Sequence, residues 1–594
     1  MDYKERIEQL QKEIDALPKG SLGHKTVNGH TYTYRRWQEN KKRKEKYVPA
    51  EDVKLVQYQI EQRKALQNEL SALREEVVPY GQAFDGTADT FSMHVLTGGE
   101  LQQFIAGAKD YKRRSQYGDL HGFLQGDPPD KVFILYGLRR TGKTTLIRQA
   151  LLEMVPEEFS KAAFIQVMAS DTLAMVNRDL KELQRQGYRY VFLDEVTLLE
   201  DFIEGAALFS DIFAASGMRI VLSGTDSLGF LFAQSRQLYD RCIFCHTTFI
   251  PYREFEQVLG ICGIDEYIRY GGTMSLSGSD YNRTSPFASS RSAGEYVDSS
   301  IARNIQHSLR CYQNEGHFRA LQDLYEKNEL TGAINRVVED INHRFTVETL
   351  TKKFRSGDPA ISARNLRSDR KNPTDILDRV DLPDITKRLV ALLEIREKEE
   401  QTVNIEPVHA AEIKEYLDLL DLTVDIDIVD MADLNRKRTR TAISQPGLRY
   451  AQAEALVSSL LLDSEFAGLS LEERNAVLER IRSEIKGRMM EDIVLLETKK
   501  ACPDLQVFPL QFAVGEFDMV RFDPAAGNCR IYEIKHSAQR HPDQARFLNN
   551  EAMCERTAFR FGPILEKCVL YRGEDGEENG VRYRNVEKYL KELP

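Results

Sequence analysis

Gly137, Gly142, Lys143 and Thr144 stand at the spacing G-x-x-x-x-G-K-T, and residues of those types at that spacing handle phosphate. Glycines let backbone N–H groups approach phosphate oxygens, and a helix opening behind them adds the positive end of its dipole. The lysine supplies a point charge for the β- and γ-phosphates, and the threonine hydroxyl a ligand for Mg2+. Leu138, Arg139, Arg140 and Thr141 between them, and Thr145 beyond, complete the expected nucleotide-binding loop. Asp194 and Glu195 end an apolar run. There the aspartate would hold Mg2+ and the glutamate would polarise the attacking water. Ser223 and Thr225 end another apolar run, where a γ-phosphate sensor would sit; the plain alternative is a helix cap at Asp226 or Ser227.

A separate set lies toward the C-terminus. Glu491 falls in a helical stretch, Asp518 in the strand-like segment Glu516 to Val520, and Glu533 and Lys535 in the strand-like RIYEIK. On a strand, positions 533 and 535 share a face, and a hairpin turned at Pro524 to Asn528 brings Asp518 beside them. The carboxylates Asp518 and Glu533 would hold a hard divalent cation with open water positions, and Lys535 would stabilise developing charge. Exposed hairpins often carry such residues, so the three alone are a weak pattern. His536 points to the other face and reads as structural, and Gln544 matches a site-orienting position only loosely. Nothing in the sequence points to a Ser or Cys nucleophile triad.

The elements that must position the loop alternate. Val132–Tyr136 reads as a buried strand, 145–150 opens a helix, 162–167 is a strand, 173–186 a helix, and 188–193 and 218–222 are strands. This predicts an α/β fold with a parallel sheet, helices on both faces and ligand at the C-terminal strand ends. The strings GLRRTGKTTLIRQ, FLDEV, VLSGTDSL and DRCIFCHTTFIPYREF resemble prokaryotic AAA-type ATPases close to the STAND group. The resemblance implies that Arg241, opening the strand that leads to Pro251-Tyr252-Arg253-Glu254-Phe255, acts as an arginine finger or sensor. It also offers Arg139 and Arg140 as nucleotide contacts, for which a surface ion pair is the simpler reading. It implies a helical lid matched at 268–276 and 295–309, and a winged helix ending at Pro446-Gly447-Leu448-Arg449. The arrangement D-x14-E-x-K with an upstream helical Glu resembles the PD-(D/E)xK restriction-endonuclease-like nucleases, domains that either cleave or serve as inert scaffolds.

The chain then divides into an N-terminal module at 1–80, an ATPase core at 82–255, a helical lid at 256–345, a linker and winged-helix-like domain at 346–450, and the nuclease-like domain at 451–594. The N-terminal module reads as a hairpin at 26–37, turned at Asn28-Gly29, between helices at 1–17 and 51–78. Between hairpin and second helix, seven of the twelve residues 35–46 are basic, beside Tyr32, Tyr34 and Trp37, as a loop that would grip phosphates and stack on bases. In the winged-helix region, helices are expected from Ile385 and over 411–422, and strands at 423–429 and 438–444. The candidate recognition helix EIKEYLDLLDL is acidic and repels phosphate, which leaves the tip 435–438 as the part suited to DNA.

At 594 residues, with 42% hydrophobic and 29% charged residues, the chain has the composition of a multidomain globular protein. A net charge of −11 excludes a uniformly nucleic-acid-coating protein and leaves room for local basic surfaces. No apolar run approaches the ~18–20 residues of a membrane span, and the polar start carries no signal-peptide core. Eight scattered cysteines suit reduced thiols in a cytoplasm, and Cys242-x-x-Cys245-His246 reads as core strand rather than a redox or haem string. The expectation is a cytoplasmic, Mg2+-dependent ATPase that couples nucleotide state to a nuclease-like domain with its own divalent metal site. It would act on nucleic acid, DNA before RNA, in prokaryotic defence or mobile-element control, as a homo-oligomer if Arg241 serves a neighbour. The alternatives are a signalling or scaffold ATPase with a non-cleaving domain, and a DNA-binding regulator.

Overall fold

The computed structural model describes residues 91–126, 130–225, 237–274, 289–311, 318–327, 329–355, 405–433, 438–462 and 466–594, with shorter pieces before residue 90 and single positions between. The chain forms two units, Met1–Thr90 and Phe91–Pro594.

In the first unit, β1 (Ser21–Val27), β2 (His30–Glu39) and β3 (Lys42–Val48) form an antiparallel sheet in that order. The basic stretch is therefore strand and not the expected loop: Arg35 pairs with Lys46 and Trp37 with Lys44. The lysines fall on β3, an edge strand, where lysine discourages further strand pairing. Helix is described at Val53, Val56, Gln59 and Arg63 within the expected 51–78 helix. The expected helix 1–17 and the Asn28-Gly29 turn lie outside the described residues, as does the helix expected from Ile385.

The second unit holds two sheets. The first comprises β4 (His94–Leu96), β5 (Val132–Tyr136), β6 (Ala162–Gln166), β7 (Tyr190–Asp194), β8 (Arg219–Gly224) and β9 (Cys242–His246), in the order β4-β6-β7-β8-β5-β9. All its pairings are parallel except that of β4 with β6. Strand alternation buries both faces: Val132 and Ile134 belong to one core, Phe133 and Leu135 to the other. Helices α1 (Gly98–Ala106), α2 (Tyr117–Gln125) and α3 (Lys143–Glu153) cover the Phe133 side, and α4 (Leu173–Arg185) covers the other. Because β5 lies between β8 and β9 while β6 follows it in the chain, the connection leaving β5 opens at a change of strand order, where parallel sheets bind ligands.

Helices follow: α5 (Tyr252–Leu259), α6 (Ile264–Tyr270), α7 (Ser290–Tyr296), α8 (Arg303–Cys311), α9 (Arg319–Glu326), α10 (Leu330–Arg355) and α11 (Pro407–Leu419). The strands expected at 423–429 and 438–444 form as the antiparallel pair β10 (Thr423–Asp430) and β11 (Arg438–Ile443). They do not stand apart as a wing: β10 pairs parallel with β12 (Gln506–Gln511), so the pair becomes the edge of the second sheet. After α12 (Pro446–Ser459) and α13 (Leu471–Ala501), the strands β12, β13 (Glu516–Asp523) and β14 (Asn528–Lys535) run as an antiparallel meander. Helix α14 (Glu551–Phe561) crosses to β15 (Ile564–Tyr571), parallel to β14; β16 (Gly576–Glu578), β17 (Val581–Asn585) and α15 (Val586–Lys591) complete the fold. Phe255, Tyr267 and Ile268 of α5 and α6 share one apolar core with Val477 and Ile481 of α13. Among the described residues, no helix is long and apolar enough to cross a membrane.

Candidate nucleotide site and a second acidic cluster

The loop from Gly137 to Gly142 joins the buried end of β5 to α3. Gly137 adopts φ 144°, and a Cβ there would sit 2.3 Å from the Thr247 carbonyl oxygen. Gly142 adopts φ 91°, and a Cβ there would lie 2.7 Å from Met274 Cε. Both positions therefore require glycine. Thr141 Oγ1 donates to the Leu138 carbonyl at 2.7 Å and lies 2.8 Å from Thr247 Oγ1, which fixes the loop's curvature. Leu138 is buried, Arg139 is exposed, and Arg140 takes a left-handed φ of 65° while its carbonyl accepts from Met274 N at 3.0 Å.

Lys143 opens α3 and is buried, and its ammonium donates to the Gly137 and Leu138 carbonyls at 2.9 and 3.0 Å. Burial lowers its pKa, against the opposing pull of Glu195 and Asp194. Thr144 Oγ1 donates to Asp194 Oδ2 at 2.6 Å, and the Ser223 hydroxyl donates to the other Asp194 oxygen. Thr145, one residue on in α3, is half-buried. The strands thus bring the predicted Mg2+ ligands and the sensor onto one carboxylate. Glu195 has φ 56°, uncommon for a residue with a Cβ, at a cost of order 1 kcal/mol or more. Thr225 Oγ1 donates to Glu195 Oε2 at 3.2 Å, and Asn304 of α8 donates to the Thr225 carbonyl at 2.9 Å. The glycines, the helix N-terminus, the buried lysine and the Thr144–Asp194–Ser223 group fit a nucleotide triphosphate with Mg2+.

Arg241 is not part of this group. It precedes β9, and the β5–β9 register places Cys242 opposite Val132 and His246 opposite Tyr136, so Arg241 lies at the far edge of the sheet, roughly 15 Å of strand from the loop. Its guanidinium pairs with Asp211 at 3.3 Å and donates to the Gln237 carbonyl at 3.0 Å. Within the chain, the length of β9 therefore separates Arg241 from the loop. Cys242 and Cys245 sit in β9 as expected, and burial pushes their thiols up, to about 11 and about 12.

Sequence reasoning missed Arg114. Its position beside Lys112 and Arg113 looks like surface, yet it is 3% exposed and donates to Thr141 O at 2.7 Å within the loop. Thr247 and Met274, which reach the loop, and Asn304, which reaches the Thr225 carbonyl, were also missed, since each comes from a distant element and carries no local signal.

In the second sheet, Lys535 Nζ lies 2.8 Å from Asp518 Oδ2 and 2.5 Å from Glu533 Oε2. The Ile534 N–H also donates to Asp518 Oδ2 at 2.7 Å. Glu533 is 2% exposed, and its Oε1 has no hydrogen-bond partner. Burial, then the Asp518 charge, raise the Glu533 pKa well above the usual carboxylate range. Burial would raise Asp518 too, but Lys535 outweighs it and holds that carboxyl low. Lys535 is raised well above its usual value because Asp518, Glu533 and Glu491 together outweigh burial. Glu491 lies mid-helix in α13 and accepts from Arg488 Nη1 at 2.6 Å, with Arg440 Nη1 at 3.7 Å. Arg440, from β11, also pairs with Asp492, as does Arg449 of α12. The roles of Arg440 and Arg449 here were invisible in the sequence, because they depend on β11 and α12 packing against α13. Among the described residues, no group of three or more His, Cys, Asp or Glu is arranged as a metal site. Asp518 and Glu533 are oxygen donors of the type a hard divalent cation takes, and the Lys535 ammonium now balances their charge. His536 turns to Asp265 of α6 at 3.0 Å, and Gln544 is engaged locally, donating to the Gln539 carbonyl at 2.9 Å.

Residues 129–256 match the family of an AAA domain, AAA_14, so the loop belongs to an AAA-type P-loop domain. Residues 1–58 match a domain of unknown function, DUF6788. Among solved structures, the chain is similar to Orc1 of Aeropyrum pernix in complex with DNA, at 13% identity over 59% of this chain and 94% of that one, with a TM-score of 0.20. It is also similar to a katanin structure concerned with self-assembly, at 13% identity over 57% of this chain and 100% of that one, again with a TM-score of 0.20. No curated protein matches.

Proposed function

We propose that this chain is a Mg2+-dependent ATPase whose nucleotide state governs a C-terminal nuclease-like site acting on nucleic acid. The observation that carries the reading is that a phosphate loop and a Lys–Asp–Glu cluster lie within one unit, with α5 of the AAA side packed into the core of α13. At the loop, backbone N–H groups and Lys143 bind phosphate, Thr144 and Asp194 hold the metal, Ser223 orients Asp194, and Glu195 accepts the proton of the attacking water. Bound Mg2+ neutralises charge on the β- and γ-phosphates. Thr225 Oγ1 holds the Glu195 carboxylate by a single hydrogen bond. At the second site, Asp518 and Glu533 would hold a divalent cation that activates water, Lys535 would stabilise charge on the scissile phosphate, and Glu491 would complete the acidic set. The basic residues along β2 and β3 support the nucleic-acid side of the reading, with DNA proposed before RNA.

A second reading has one observation in its favour: Glu491 is held by two arginines and Lys535 already balances Asp518 and Glu533, as in a binding scaffold that does not cut. Incubating wild type and Asp518→Ala with single- and double-stranded DNA and RNA, in Mg2+ or Mn2+, with and without ATP, separates the two. Metal-dependent cleavage by wild type that Asp518→Ala lacks supports the nuclease; no cleavage by either across the panel establishes the scaffold.

A further inference from the structure

Arg114 lies in the connection between α1 and α2, and its guanidinium reaches four acceptors. Nη1 donates to Thr141 O in the phosphate loop at 2.7 Å and to Thr248 O at 3.0 Å. Nη2 donates to Phe249 O at 3.1 Å, and Nε to Glu254 Oε2 at 2.7 Å. The other Glu254 oxygen accepts from Ser115 Oγ at 2.5 Å. Both charges are nearly dry, with side-chain exposures of 1% and 7%, so neither is a surface pair that solvent would screen. The arginine also packs on the loop itself: a Cβ at Gly142 would lie 3.4 Å from Arg114 Cδ. Only a planar, branched donor spans these acceptors; a lysine ammonium at the same place would reach some and abandon the rest.

Glu254 sits in the first turn of α5, and the start of that helix is held from elsewhere. The Tyr252 N–H donates to Glu497 Oε1 at 2.8 Å, and Glu497 is 3% exposed. Glu497 belongs to α13, the helix that carries Glu491 less than two turns away. A polar connection therefore runs from the loop carbonyl of Thr141 through Arg114 and Glu254 to the backbone of α5, and from there through Glu497 into α13.

We propose that Arg114 is a positioning residue for the phosphate loop, and that Arg114, Glu254 and Glu497 link the state of that loop to helix α13 and so to the acidic cluster. This rests on the reading of the loop as an ATP site. Lys143 now donates to the Gly137 and Leu138 carbonyls, so a phosphate that recruits its ammonium must loosen the loop's own bonds. Arg114 holds the carbonyl two residues before Lys143, and a change there is felt by a buried ion pair rather than by solvent.

The test measures ATP affinity by calorimetry, and hydrogen–deuterium exchange of peptides covering 486–501 with and without ATP. The proteins compared are wild type, Lys143→Ala, Arg114→Lys and Glu497→Met, each first shown by thermal melting to be folded. Arg114→Lys should weaken ATP binding by roughly tenfold or more, as expected on losing charge-assisted bonds from a buried cation. Glu497→Met should leave ATP affinity at the wild-type value yet abolish the ATP-dependent change in exchange across α13. Wild-type affinity in Arg114→Lys, or a preserved exchange change in Glu497→Met, overturns the inference. Should Arg114→Lys fail to fold, Glu497→Met decides alone. Wild type that binds no ATP removes the nucleotide reading itself, whereas wild type that binds ATP with no change in α13 removes only the linkage.

Discussion

Two lysines in the same unit, Lys143, which is buried, and Lys535, which is partly buried, each sit among polar groups, and the chain has solved their charge in opposite ways. Lys143 is satisfied by backbone carbonyls, and burial lowers its pKa because the nearest carboxylates do not compensate fully. Lys535 is satisfied by Asp518 and Glu533, with Glu491 beyond, and these raise its pKa well above the usual value. The first site has a cation short of negative partners, so it gains by receiving an anion. The second has carboxylates that share one cation, so it gains by receiving another positive charge. The difference separates the two proposed readings, phosphate at the first site and a cation at the second, although both present a lysine beside acids.

The largest expected effect is at the first lysine. Lys143→Ala removes the charge meant for the β- and γ-phosphates, and ATP turnover should fall at least ~100-fold. Hydrolysis at the wild-type rate in the purified variant would remove the loop from the chemistry and end the contrast. At the second lysine, Lys535→Met leaves two buried carboxylates facing each other. The loss in stability should be about 3 kcal/mol, the low end for a broken buried pair because the Lys535 side chain is 33% exposed. Mn2+ or Mg2+ should then raise the melting temperature of the variant more than that of wild type. Equal metal effects on both would show that the acidic cluster does not seek a cation.

The two sites were also unequally legible. At the loop, spacing in the sequence carries geometry, because a strand, a glycine turn and a helix leave few ways to place Lys143, Thr144 and Asp194. Ser223 was readable for the same reason, as the end of a parallel strand. At the acidic cluster, alternation on β14 correctly put Glu533 and Lys535 together, and the hairpin added Asp518. What lay hidden was everything depending on long-range register. β10 joins β12 through a short parallel pairing, which brings Arg440 to Glu491 and turns an expected wing into a sheet edge. Arg114 was hidden likewise, since its four acceptors come from three separate segments. Composition does not report such meetings, and a basic triplet such as Lys112-Arg113-Arg114 reads as solvated surface until packing selects one member.

Between the two lysines stands Glu497, whose carboxyl burial pushes up to about 7, against the Tyr252 N–H that lowers it. A carboxyl with folded pKa above its unfolded value, near ~4.3, binds more protons when folded. Its contribution to stability is complete below the unfolded pKa, declines as pH rises, and is gone above about 7. The loss should total about 3 kcal/mol across that window. Glu497→Gln keeps an oxygen that can accept from Tyr252 but cannot ionise. Its melting temperature relative to wild type should therefore climb from pH 5 to pH 8. A difference that does not vary with pH would mean that the carboxyl is ionised in the fold, and the junction between the two sites would carry one more charge than described.

The smallest effect is expected at Arg241, and it bears on whether the first site is complete within one chain. Arg241 and Thr247 bracket β9, yet only the Thr247 end touches the phosphate loop. The Arg241 end holds a half-exposed pair with Asp211, of the kind that contributes ~0.5 kcal/mol or less. Arg241→Ala should therefore leave ATP turnover within about twofold of wild type and stability nearly unchanged. The measurement is turnover across a range of protein concentrations. A flat, wild-type profile means that the phosphates are served from within the chain, by Lys143 and the loop's own N–H groups. A loss of order 1,000-fold or more, confined to concentrations at which chains associate, would place this edge of the sheet against the loop of a neighbouring copy, since an arginine supplied in trans has effects of that size. In that case Lys143 would be only half of the positive charge that the phosphates meet, the other half being an arginine from the neighbouring copy.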